Sequence, residues 1–228
     1  MSAYRCHPDF IVESIHPLNR KQEVYRWGEL LYRGVFVQHV EQWRDWYRDM
    51  PQRVRAIHER YARISLNIDS AQMLDPSIEA SLYELGGLPV AIEWTENLSM
   101  GIGSREIMLV GQRLEELRRE HGFPVVLDDV GAGQDTLGRL CALHPDAVKM
   151  DGAIFQLART SARIRQLLEF KVRFYEQQMK IPVVIEWIET PDDLLLAQDM
   201  GASWGQGFLW AHEGLFPGRE VVGASRAV

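Results

Sequence analysis

Asn67, Glu93, Asp128 with Asp129, Lys149 with Asp151 just beyond, Glu186 and Gln206 each close a short apolar run, and Glu29 lies inside another. Such runs read as buried strands, and carboxylates at their ends are costly to bury without partners. Gathered together they would raise one another's pKa by mutual repulsion. A divalent cation removes that conflict. Oxygen donors of this type, Glu29, Asn67, Glu93, Asp128 and Asp129, select hard ions such as Mg²⁺ or Mn²⁺, and the histidines and cysteines are too scattered for a zinc site. Two such ions, about 3.5 to 4 Å apart, clamp a phosphodiester and generate hydroxide from water. Lys149 fits the same chemistry, because a lysine in an apolar strand needs a partner, here a phosphate or a metal-bound water. A single acid at a strand end is ordinarily a helix cap or half of a surface ion pair; its recurrence at strand after strand argues for a shared site. Gly131-Ala132-Gly133 has the form of a phosphate cradle but equally that of a tight turn.

Positioning these side chains on one rim requires many short strands separated by helices. Eight runs qualify as strands: Phe10 to Ile15, Val24 to Tyr32, Ile64 to Asn67, Val90 to Trp94, Pro124 to Asp128, Ala147 to Met150, Pro182 to Glu186 and Ser203 to Phe208. Helical spacing links Ile107, Val110, Leu114 and Leu117 within Arg105 to His121, with Gly122 as a stop. Thr190 and Pro191 open a second helix that Gly201 closes. The alternation predicts an α/β fold, a TIM-like (β/α)8 barrel whose functional groups collect at the C-terminal strand ends; a doubly wound open sheet is the architectural alternative. Too few residues separate Ile15 from Val24 for a helix, so the first two strands are expected to pair antiparallel. One barrel domain is expected over residues 1–212, with 213–228 as an irregular tail. Trp43, Trp46, Tyr47 and Trp204 read as packing residues.

A formal charge of −7 over 228 residues argues against a broad duplex nucleic-acid surface, so an anionic ligand would need a bound cation. Residues 1–10 hold no apolar run of signal-peptide type, and no stretch approaches membrane-spanning length, so a cytoplasmic protein without membrane insertion is expected. Cys6 and Cys141 are far apart and are expected to be reduced and structural.

Taken in order, the motifs resemble those of the EAL family of cyclic di-GMP phosphodiesterases from about Phe10 to Trp210. Glu29-Leu30-Leu31-Tyr32-Arg33 is similar to the signature Glu-Ala-Leu-x-Arg, Ser65 to Asp69 to its Asn-bearing strand, and Glu93-Trp94-Thr95-Glu96 to Glu-x-Thr-Glu. Asp128 to Gly133 resembles Asp-Asp-Phe-Gly-Thr-Gly, Asp146 to Asp151 resembles Asp-x-x-Lys-x-Asp, Glu186 to Thr190 resembles Glu-Gly-Val-Glu-Thr, and Gln206-Gly207-Phe208 resembles Gln-Gly-Tyr.

The resemblance implies a barrel with an antiparallel first strand pair, and hydrolysis of cyclic di-GMP to the linear dinucleotide pGpG by two Mg²⁺ or Mn²⁺ ions. It implies metal ligation by Glu29, Asn67, Glu93, Asp128 and, for the second ion, Asp129. Lys149 and Glu186 would activate or position water, and Glu189 would support the site. Arg33 would meet a substrate phosphate, with Leu31, Asp151 and Gln206 also beside the substrate. Glu96 would brace the loop Val130 to Thr136, which in the family couples metal binding to dimerisation, so a homodimer is expected.

Several positions depart from the family pattern. Val130 stands for Phe, Ala132 for Thr, Gln134-Asp135-Thr136 for Tyr-Ser-Ser, Trp187 for Gly and His16 for the Gln of the first strand, and the segment after Arg33 lacks the usual Pro and Phe-Ile pattern. A Gly position that needs φ > 0 is costly for Trp to occupy. These departures motivate a second reading, a cyclic di-GMP receptor or protein-interaction module that hydrolyses poorly. The carboxylates alone would also suit a metal-dependent barrel enzyme of the lyase or enolase kind.

Overall fold

A computed structural model describes residues 10–18, 26–32, 40–95, 103–131, 136–212 and 220–221. Strand β1 (Phe10–Pro17) pairs antiparallel with β2 (Trp27–Tyr32) and, along its other edge, with β8 (Trp204–Gln206). Between them β2, β3 (Arg63–Ile68), β4 (Val90–Trp94), β5 (Val125–Val130), β6 (Ala147–Met150), β7 (Val183–Ile185) and β8 run parallel in chain order. The result is the expected TIM-like barrel, closed through an antiparallel β1. A two-residue strand in the segment read as an irregular tail, β9 (Glu220–Val221), also pairs with Ile11 and Val12 of β1.

Helices α1 (Val40–Arg48) and α2 (Met50–Ile57) follow β2, α3 (Ser70–Met73) and α4 (Pro76–Tyr83) follow β3, and α5 (Ser104–His121) follows β4. After β5 comes α6 (Thr136–Ala142), after β6 come α7 (Gly152–Thr160) and α8 (Ala162–Arg173), after β7 comes α9 (Pro191–Met200), and α10 (Leu209–His212) follows β8. The stop and start signals work as their chemistry requires. Gly122 ends α5 at φ 72°, where the missing Cβ makes the left-handed cap cheap. Thr190 and Asp193 form a reciprocal capping box at the start of α9.

Two shells of apolar side chains result from the strand alternation. Outward-facing residues such as Leu66, Ile92, Leu127, Val148 and Ile185 pack against the helices in the larger core. Inward-facing Ile15, Trp27, Val126, Ala147 and Val184 fill the lower barrel, with Trp204 edge-on to Trp27. Trp46 and Tyr47 are buried in the outer core and Trp43 packs against it, in line with their reading as packing residues. Cys141 is a correction: expected as structural, it is a free thiol exposed on α6. Among the described residues no helix is long and apolar enough to cross a membrane.

Candidate active site

One step of two residues up each strand from that layer, which Ser65 and Ala91 continue on β3 and β4, the interior turns polar. Glu29 lies two beyond Trp27, Asn67 two beyond Ser65, Glu93 two beyond Ala91, and Asp128 two beyond Val126. The same step gives Lys149 from Ala147, Glu186 from Val184 and Gln206 from Trp204. Seven strands thus point a polar group into one mouth.

The Lys149 ammonium is the hub. Fully buried, it lies 3.0 Å from Glu29 Oε2, 2.9 Å from Glu93 Oε2, 3.1 Å from Asp128 Oδ1 and 2.8 Å from Glu186 Oε1. Glu29 also accepts from Asn67 Nδ2 at 2.6 Å and from Gln206 Nε2 at 2.7 Å. Below, Trp27 Nε1 donates to Ser65 Oγ at 2.7 Å. Tyr47 on α1 donates its hydroxyl to the Asn67 carbonyl, fixing the end of β3.

Consecutive strand residues face opposite ways, so Asp128 and Asp129 can share one mouth only if the strand breaks its alternation. β5 does so: its pairing with β6 shifts register between Leu127 and Val130, and Asp129 takes φ 55°. The carboxylate oxygens of Asp128, Asp129 and Glu186 then lie within 4.8 Å of one another. Glu186, expected to handle water, therefore also stands where a ligand to the ion beside Asp129 would.

Four carboxylates around one ammonium leave excess negative charge. Burial lowers the affinity of Lys149 for its proton, but Asp128, Glu186, Glu29 and Glu93 outweigh it and hold the ammonium well above the usual lysine range. Burial pushes Glu29 up, yet Lys149 and the bonds from Gln206 and Asn67 hold it below the usual carboxylate value. Burial and the charge of Glu29 push Glu93 well up. Burial, reinforced by Asp128, pushes Glu186 to about 8 and Asp129 to about 6.

A hard divalent cation fits this donor set. All the free donors are oxygen, and Asn67 Oδ1 and Glu93 Oε1 are buried without a hydrogen-bond partner among the described residues. A stability prediction follows from the raised acids. Glu186 and Asp129 bind protons more tightly folded than unfolded, so their contribution is present at low pH and lost as pH rises from about 4 to about 8. Metal-free protein should melt lower at pH 8 than at pH 6, and Mg²⁺ should raise the melting temperature more at pH 8. A scanning-calorimetry profile with the opposite pH slope would contradict this assignment.

The remaining expected residues are less central. Asp151 caps α7, accepting from the Ile154 amide at 3.0 Å, and Leu31 is half-buried at the mouth end of β2. Glu189 is exposed, its amide donating to Asp193 Oδ2 at 3.1 Å in the α9 capping box. Arg33, Glu96 and loop residues 132–135 lie outside the described residues. His16 stacks on Trp210 at 4.4 Å, and burial lowers its pKa to about 4, which keeps it neutral.

Arg139 escaped the sequence reading. From α6 its buried guanidinium donates to the Trp94 carbonyl at 2.6 Å and the Asp128 carbonyl at 3.0 Å, tying together the ends of β4 and β5 that carry Glu93, Asp128 and Asp129. The available signal was faint: an arginine on α6 four residues before Leu143, which is buried just past the helix end. Arg139→Met should cost about 3 kcal/mol and weaken divalent-ion binding by about 10- to 100-fold. A denaturation midpoint and a Mn²⁺ titration both matching wild type would show that the clamp is dispensable.

Comparison with known proteins agrees with this geometry. The EAL domain family matches over residues 23–213. Among curated relatives, the cyclic di-GMP phosphodiesterase RocR of Pseudomonas aeruginosa is 30% identical over 90 residues, covering 40% of this chain and 23% of RocR. The probable cyclic di-GMP phosphodiesterase PdeB of Escherichia coli is 25% identical over 188 residues, covering 80% of this chain and 32% of PdeB. The chain thus spans less than a third of either relative. A standalone EAL protein from Vibrio cholerae, solved with cyclic di-GMP bound, superposes with a TM-score of 0.70 at 17% identity, covering 87% of this chain and 89% of that one. The FimX EAL domain of Pseudomonas aeruginosa, also bound to cyclic di-GMP, gives 0.68 at 13% identity, covering 88% of each chain. With a family match over most of its length and the same barrel, this chain belongs to the EAL domain family.

Proposed function

We propose that this domain hydrolyses cyclic di-GMP to the linear dinucleotide pGpG with two divalent cations, Mg²⁺ or Mn²⁺. The observation that carries the reading is the convergence of Glu29, Glu93, Asp128 and Glu186 on the Lys149 ammonium, with Asp129 turned into the same mouth. Glu29, Asn67, Glu93 and Asp128 would hold one ion, and Asp129 with Asp128 and Glu186 the second. Bound there, the cations would neutralise the phosphodiester and lower the pKa of an attacking water.

The chain's own groups do the rest. Gln206 and Asn67 lock the Glu29 carboxylate in one orientation, so it meets its ion without reorganising. Lys149 keeps four carboxylates together and supplies a fixed positive charge where the phosphorane-like transition state gathers negative charge. Glu186, at the edge of the cluster and 14% exposed, is assigned to positioning the water. By resemblance, Asp151 and Leu31 are assigned to the substrate, Arg33 to a phosphate, and Glu96 and Glu189 to support. A homodimer and a cytoplasmic setting belong to the same reading.

Incubating the protein with cyclic di-GMP and Mn²⁺ and separating the nucleotides tests it. Linear pGpG that disappears with a chelator supports hydrolysis. Intact cyclic di-GMP retained on the protein favours the receptor, which the substitutions at Trp187 and His16 motivate. Neither product nor binding would overturn both.

A further inference from the structure

Trp187 follows Glu186 directly, at the C-terminal end of β7, and its backbone lies in the left-handed region at φ 56°. For a bulky side chain that conformation is strained, and the cost is not recovered by burial, because the residue is 52% exposed. The side chain is nevertheless seated. A Cβ on Gly152, the first residue of α7, would lie 2.2, 2.4 and 2.5 Å from Cγ, Cδ2 and Cδ1 of the indole, so the absence of a side chain there opens the shelf on which the ring rests. Gln156, one turn along α7, donates Nε2 to the Trp187 carbonyl at 2.9 Å and fixes the strained peptide. Gly152 follows Asp151, the N-cap of α7 at the end of β6, so the shelf lies between the two strand ends that present Lys149 and Glu186. An exposed aromatic face, held at a backbone cost and supported from beneath, therefore stands on the rim beside the carboxylates.

We infer that Trp187 is a further substrate-binding residue, a stacking platform for one purine base of the nucleotide whose phosphodiester lies at the carboxylate cluster. This rests on the proposed function for the identity of the ligand. Stacking suits the observation because an indole face offers affinity to any planar base without a hydrogen-bond partner, and such a face is useful only if it is left open to solvent in the free protein.

The test compares wild type, Trp187→Gly and Trp187→Phe, measuring dissociation constants for a non-hydrolysable phosphorothioate analogue of cyclic di-GMP in Mg²⁺ by calorimetry and melting temperatures without ligand. Trp187→Gly should bind at least about tenfold more weakly, Trp187→Phe should recover most of that loss, and the glycine variant should melt no lower than wild type, since glycine tolerates the left-handed backbone. Opposite signs for affinity and stability are what a packing residue would not produce. Equal affinity in wild type and Trp187→Gly, or a Trp187→Phe no better than glycine, would overturn this inference while leaving the proposed function standing. A glycine variant that melts well below wild type would assign the indole to packing and overturn it too. A wild type that does not bind the analogue, and forms no pGpG from cyclic di-GMP, would remove the proposed function, and this inference with it.

Discussion

Glu29→Gln is expected to reduce turnover of cyclic di-GMP by about a thousandfold or more, because the substitution removes the charge of a proposed ligand while keeping its volume. The side chain is also structural. Its two oxygens accept from Asn67, Gln206 and Lys149, and an amide in its place cannot accept from all three. A loss of about 1 to 3 kcal/mol should therefore accompany the loss of activity, with the barrel still formed. Far-ultraviolet dichroism and a denaturation curve separate the two effects. A folded Glu29→Gln protein with turnover within tenfold of wild type would remove Glu29 from the chemistry.

Lys149→Met should produce the largest change in stability. It leaves Glu29, Glu93, Asp128 and Glu186 facing one another with no cation between them, and uncompensated buried charge of this kind costs about 3 to 5 kcal/mol. The loss should be smaller at pH 5, where raised carboxylates take up protons, than at pH 8, and added Mn²⁺ should recover more stability in the variant than in wild type. Turnover should fall with it even where Mn²⁺ restores the melting temperature. A Lys149→Met protein as stable as wild type at pH 8 in chelator would show that the ammonium does not hold the cluster.

Much of this architecture was legible in the residues because barrel strands obey a period of two. Once Trp27, Val126, Ala147 and Val184 are assigned inward, Glu29, Asp128, Lys149 and Glu186 must follow on the same face, and the short link after β1 permits only an antiparallel partner. What could not be read depends on breaks in that period or on contacts between distant segments. The bulge that turns Asp129 into the mouth is a local exception to alternation. The reach of Arg139 to two strand-end carbonyls depends on where α6 packs, 45 residues on from Trp94. The pairing of Glu220 and Val221 with β1 depends on chain closure, since two residues carry no periodicity. Trp187 lay between these cases: a large residue in a glycine's place signalled strain, while the shelf at Gly152 that accepts it appears only in three dimensions.

Whether these buried oxygens hold divalent ions is decided by Mn²⁺ binding followed by electron paramagnetic resonance. Saturable binding at the cluster is expected, lost in Asp128→Asn and accompanied by a rise in wild-type melting temperature. Wild-type protein that leaves all added Mn²⁺ free in solution, and melts at the same temperature with and without it, would show that the cluster is not a metal site.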